Sequence, residues 1–365
     1  NVFGFANAVV VASGSVTSTT CYTDDASPPT GFTTVTYADQ FEKHQWRDPL
    51  LRIADSSALE QLTVADRDWL LDMAFRCHAP TMLEPFAPYR RLRDMLDFVR
   101  AHAGNGLNSL SGDYFADLAT WYLLAWCGES LRRSGTVIPE LMAKGSAFTL
   151  QDRQALLKEL GKAVSGIIPR YRALAESGQV ELSCTPGTHP LAPLMIDFNC
   201  AREAWPECPL PAVFEYLGGR SRVEAHLAEA RESHTRRFKQ APAGLWPAEG
   251  ALSMPFLKQV AESGFLWTAS SQGVLKHSAG NDARTSVAWQ APEGIPGDIT
   301  LFFRNEHLSD LIGFEYAKWH GRDAAQHFMT ELKALHLKDD RNLIPVFLDG
   351  ENAWEYYPYN GWYFF

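Results

Sequence analysis

GLWPAEGALS, residues 244–253, sets a single carboxylate, Glu249, behind a Trp-Pro pair and ahead of small residues. Glu249 fits two roles. As the first-turn residue of a helix it would place an anion at the positive end of the dipole. As the last residue of a strand, stopped by Pro247, it would carry a functional acid at the strand's C-terminal tip. The segments around it separate the two. QVELSCT (179–185), FLWTASS (265–271), DITLFFR (298–304) and NLIPVFLD (342–349) have the same short, apolar, β-branched and aromatic character as GLWPAE. Helical spacing fills most of the gaps, in VEAHLAEARESHTRRFK (223–239), SMPFLKQVAESG (253–264) and SDLIGFEYAKWHGRDAAQHFMTELKAL (309–335). Alternating strands and helices of this kind predict a mainly parallel sheet with helices on its faces.

Upstream, from Leu62 to Gly178, apolar residues recur at three-and-four spacing. Four helical stretches are predicted, 62–78, 88–103, 113–133 and 148–178, with Thr63 and Thr149 as N-caps. No element is placed in residues 1–35; 1–45 form an unassigned N-terminal segment, 46–176 a mainly helical region, and 177–365 carry the strands. YADQFEK (37–43) reads as helix, so the HQ of KHQW (43–46) follows a helix and not a strand.

The bulk composition bounds the function. The chain has 365 residues, a net charge of −10 and 46% hydrophobic residues. That balance argues against nucleic acid or an anionic membrane as partner. No apolar run approaches the roughly 18 residues of a membrane span. The six cysteines, Cys21, Cys77, Cys127, Cys184, Cys200 and Cys208, include no C-x-x-C pair. They read as free, buried thiols of a reducing compartment, which places the protein in the cytoplasm.

Polar groups collect just past the strand ends. His189 follows the first strand, Glu249 the second and Arg304 the fourth, and Asp349 and Glu351 follow the fifth. Sites are built at such ends in barrels and doubly wound sheets. Two carboxylates from different strands, flanked by Trp, His and Arg, suit retaining glycoside hydrolysis. One attacks the anomeric carbon, and the other protonates the leaving oxygen and then deprotonates water. A nucleophile must be ionised, so a donor or cation such as His189 or Arg304 belongs beside it. The acid needs a drier or like-charged setting. Asp349 also stands in a D-G pair, where plain turn chemistry favours both residues, and both roles stay open. His189 alone suits a structural histidine and Trp246 alone a core residue.

VELSCTPGTHPLAPL, GLWPAEGALS, LFFRNEHLSDLIGFEY and FLDGENAWEYY together resemble the ordered motifs of glycoside hydrolase family 57, the α-amylase and 4-α-glucanotransferase family. MLEPFAPYRRL and DYFADLATWYLLAW resemble the helical segment of its amylase-like branch, and the similarity spans residues 45–363. The resemblance implies an α/β fold, an incomplete (β/α)7 barrel with helical additions, and retaining chemistry on α-glucans with no cofactor and no catalytic metal. It places Glu249 as nucleophile and Asp349 as general acid/base. It places His189, Trp246, Arg304, Asp310, Glu351 and Trp354 as substrate contacts. Asp310 also fits a helix start, and Trp354 fits aromatic packing. The family's first motif, H-Q-P at the end of a first strand, is missing; AVVVAS (8–13) could replace that strand. Gly187-Thr188 and His307 depart from the usual pattern.

Three alternatives remain. A transglycosylase of the same family shares every residue named. A catalytically impaired glucan-binding fragment would bind sugar without turnover. A metal-dependent polysaccharide deacetylase needs an Asp and paired histidines; the chain has no H-x-x-x-H, and His320 and His327 fall on one helical stretch.

Overall fold

The computed structural model of the chain describes residues 37–102, 109–187, 189–213, 216–338, 343–348 and 354–365. AVVVAS (8–13), Thr188, Asp349 and Glu351 lie outside the described residues. The chain divides into two compact units. Among the described residues, one takes 37–166, 317–322 and 354–365, and the other takes 167–316 and what is described of 323–348.

The first unit is built of helices. Val64–Met73, Ala87–His102, Gly112–Trp126 and Leu150–Ser165 fall where apolar spacing predicts them. Thr63 accepts from the Asp66 N–H, and Thr149 accepts from Asp152 N–H while the Asp152 carboxylate accepts from Thr149 N–H. The second pair is a capping box. The predicted helix 113–133 is two helices, because Cys127 and Gly128 are extended (ψ 128° and 155°) and Glu129–Arg133 starts anew. The predicted helix 148–178 breaks at Gly166. Three residues on, Pro169 has no N–H to return to the Ser165 carbonyl.

Tyr89, Phe115, Trp121, Leu96 and Leu118 form the centre of this unit's core, each essentially inaccessible. Their polar tips are satisfied inside it. Tyr89 donates to the Ala74 carbonyl, Tyr114 to Leu92 O at 2.9 Å and Trp121 Nε1 to Gly145 O at 2.7 Å. Burial pushes both phenols upward, so they remain protonated donors.

The second unit holds the sheet: β1 (Gly244–Leu245), β2 (Trp267–Ser270), β3 (Trp289–Gln290) and β4 (Thr300–Phe303), in the order β1-β2-β4-β3. β1 with β2 and β2 with β4 run parallel, and β3 returns antiparallel on β4. The fold is therefore mixed α/β, rich in helix, with a small, mainly parallel sheet. β2 is buried along its whole length, while β4 buries Leu301 and Phe303 on one face. These pack with Leu245, Phe256, Val260 and Leu275, bringing in the helices Met254–Glu262 and Gln272–Ala279.

The strands are shorter than the sequence predicts. Within 179–185, Val180 and Cys184 make only isolated bridges, Cys184 pairing with Leu245 by donating to Gly244 O at 3.1 Å and accepting from Trp246 N at 2.8 Å. β1 stops early because Pro247 has no N–H to continue a ladder. Residues 343–348 form no strand; Pro345 contributes only its carbonyl, to Asn305 N at 2.7 Å. The predicted helix 309–335 is a short helix Glu306–Asp310, a π turn Leu311–Glu315, a 3-10 turn and a new helix Gly321–Lys338. Gly313 weakens helix continuity within it.

No helix among the described residues is long and apolar enough to cross a membrane. The described cysteines are free; Cys127 is buried and Cys77, Cys184, Cys200 and Cys208 are half-buried.

Candidate active site

Glu249 belongs to no α-helix. The next helix begins at Met254, behind an extended Ser253 with φ −142°, so the expected helix N-terminus at Glu249 is five residues too early. Glu249 itself has φ 55° and ψ 17°, and Gly250 has φ 64°. Ala251 N–H donates to Ala248 O at 3.0 Å across the pair. This is a turn with both central residues at positive φ, the primed geometry that favours Asn-Gly or Asp-Gly. Glutamate in that conformation costs about 1–2 kcal/mol, and its side chain, 72% exposed, recovers none of that through packing. Backbone strain of this kind concentrates at functional sites.

His189 is held in the same way, with φ 50°. Its Nδ1 stands 3.8 Å from Glu249 Oε1, beyond hydrogen-bond reach but within ion-pair range when the imidazole is protonated. Of His189 and Arg304, the structure brings His189 beside Glu249. Arg304 sits at the end of β4 and its guanidinium is engaged by Asp310. Asp310 ends the helix Glu306–Asp310 and caps nothing with its side chain, so the expected helix start is not its role. Asn305 caps that helix instead, accepting from Leu308 N at 3.0 Å.

Trp246 is half-buried beside the turn: a side chain on Gly250 would meet its indole at 3.4 Å. Its ring packs edge-on against Phe347, 5.5 Å between centroids. Phe347 N–H donates to Ser309 Oγ at 3.2 Å. Those contacts hold residues 343–348, which end one position short of Asp349, beside Trp246 and the helix that follows β4. Trp354 belongs to the helical unit, where its ring packs on Tyr357 and Phe365 at 5.2 and 4.6 Å.

Two residues that sequence patterns passed over complete the arrangement. Thr268 and Ser270, fully buried on β2, donate to Leu245 O at 2.9 Å and Gly250 O at 2.5 Å. The available signal was two hydroxyl residues at alternate positions of an otherwise apolar strand. Among the described residues, no group of three His, Cys, Asp or Glu is placed to hold a metal ion.

The chain belongs to glycosyl hydrolase family 57, whose family model matches residues 34–365. Its members include amylases, branching enzymes and 4-α-glucanotransferases. Solved structures similar to it include the alpha-amylase AmyC of Thermotoga maritima, at 11% identity and TM-score 0.41 over 82% of this chain and 64% of that one. A GH57-type branching enzyme of Pyrococcus horikoshii follows at 14% and 0.40, over 77% and 58% of the two chains. The 4-alpha-glucanotransferase of Thermococcus litoralis matches at 17% and 0.35, over 55% and 26%. The chain spans less than two thirds of each of these proteins. No curated protein matches it significantly.

Proposed function

We propose that the chain is a retaining α-glucan-active enzyme, an α-amylase-like hydrolase built on an incomplete (β/α)7 barrel. Glu249 is the nucleophile. Its carboxylate attacks the anomeric carbon while Asp349, as the acid, gives its proton to the departing glycosidic oxygen. Asp349 then takes a proton from the incoming water, which attacks the same carbon and releases Glu249. His189, Trp246, Arg304, Asp310 and Glu351 contact the sugar around the cleavage point.

The observation that carries this is the strained, exposed Glu249 in the turn four residues past β1, 3.8 Å from an equally strained His189. A fold with no use for that carboxylate would place glycine or asparagine there at lower cost. Family membership supports glycoside hydrolysis or transfer as the chemistry. Free thiols support a reducing, cytoplasmic setting.

Product analysis on maltoheptaose tests the proposal, with wild type compared to Glu249→Gln and Asp349→Asn. Shorter glucans from wild type, and a loss of about three orders of magnitude or more in both variants, support an amylase with these roles. Longer products would assign a transglycosylase. A folded wild type that binds maltoheptaose without converting it would leave a glucan-binding protein in place of the enzyme.

A further inference from the structure

We propose that Ser270 is a positioning residue for Glu249, an inference that rests on Glu249 being the nucleophile. β1 pairs with β2 over only two residues and ends before Pro247, so no ladder bond supports the turn that follows. The turn's internal bonds, Gly250 N to Pro247 O and Ala251 N to Ala248 O, leave the Gly250 carbonyl outside it. Ser270 Oγ reaches that carbonyl from β2 at 2.5 Å. The same residue's main-chain oxygen accepts from Arg304 N at 2.9 Å. One buried serine therefore joins the Glu249 turn to the strand end that presents Arg304.

The bond matters because the turn is strained. Left alone, a glutamate at φ 55° gains by returning to negative φ, and that rotation would carry its carboxylate away from His189. Gly250 is itself buried, so its carbonyl stays at low cost only while the Ser270 hydroxyl answers it. Thr268 makes the equivalent bond to Leu245 O, within the paired part of β1, and so supports the strand but not the turn.

Two measurements test this on the full chain. In the first, Glu249→Gly and Glu249→Ala are each melted in the Ser270 and the Ser270→Ala backgrounds. With Ser270 present, Gly should melt about 2–4 °C above Ala, because only Ala keeps the positive-φ strain. With Ser270→Ala the difference should vanish or reverse, because the relaxed turn no longer strains Ala and Gly keeps its greater unfolded-state entropy. An undiminished difference in both backgrounds overturns the proposal, whatever the protein's activity. In the second, kcat and KM on maltoheptaose are measured for Ser270→Ala, Ser270→Cys and Thr268→Ala. Ser270→Ala should lower kcat at least about tenfold with KM little changed. Ser270→Cys, which keeps the shape and a weak donor, should fall between. Thr268→Ala, which removes the bond within the paired part of β1, should lose thermal stability with a clearly smaller loss of kcat than Ser270→Ala. Unchanged kcat in an active, folded Ser270→Ala protein overturns the proposal. A wild type inactive on glucans refutes the enzymatic role of Glu249 and leaves the melting comparison to decide on Ser270.

Discussion

Gly244→Ala puts a methyl carbon 2.0 Å from Cε2 and 2.1 Å from Cζ2 of the Trp267 indole. Carbon atoms pack at about 3.5–4.0 Å, so the ring must retreat by about 1.5 Å or β1 must lift off β2. Neither is easy. Trp267 is only 8% exposed, packs edge-on against Phe302 at 5.8 Å and donates from Nε1 to Glu181. Gly244 is bound through its carbonyl to Cys184 N and opposes Trp267 in the ladder. Overpacking of a rigid, buried ring belongs at the upper end of the usual range, about 3 kcal/mol. In a unit of this size that lowers Tm by about 6–12 °C, which calorimetry or circular dichroism reads directly. Adding Trp267→Leu removes the obstacle, so the double variant should lose much less than the sum of the two single losses. A Gly244→Ala protein that melts within about 1 °C of wild type would refute the packing of β1 under Trp267. Strictly additive single and double variants would refute it as well.

Other perturbations follow from single contacts. Thr149→Ala removes the capping box with Asp152 and should cost about 1 kcal/mol, a Tm loss of about 4 °C; an unchanged Tm would count against the cap. Burial holds the His234 imidazole below its ordinary value, with Nδ1 3.0 Å from Gln240 O. The unfolded chain therefore takes up this proton first as pH falls, so the stability concerned is whole above about pH 6.5 and is lost below it. Wild type should lose more Tm than His234→Gln between about pH 7.5 and 5.5, and parallel losses would contradict this. Burial pushes Cys127 up to about 11 and Cys184 up to about 12. Both should resist iodoacetamide at about pH 8 until the protein is unfolded, because the thiolate is the reactive form; rapid labelling of either in the native protein would refute the shielding of its thiol.

Local chemistry made the helices legible. Thr63 and Thr149 announce their helices because a side-chain oxygen there answers a main-chain N–H three residues on. The end of β4 before Arg304 was legible from an apolar run halted by charge, whereas β1 ends at Leu245, four residues before the expected strand end at Glu249. The turn was hidden. Glu-Gly lacks the Asn-Gly or Asp-Gly signature of a primed turn, and tertiary support from Ser270 overrides that preference. Small residues after Glu249 suggested an immediate helix, whereas Ser253 stays extended and delays it to Met254. β3, two residues long, has no alternation to detect. The pairing of Arg304 with Asp310 depends on a short helix whose cap, Asn305, sits between them in sequence.

The most direct test is to trap the covalent intermediate. A 5-fluoro-α-glucosyl fluoride should lose fluoride to the attacking carboxylate and leave a slowly hydrolysed glycosyl ester, found by mass spectrometry of the digested protein. Retaining chemistry through Glu249 requires the added sugar on the peptide that contains GLWPAEG. A protein that converts glucans yet carries the sugar on another residue, or forms no adduct under conditions where the fluoride inactivates it, would contradict Glu249 as the nucleophile.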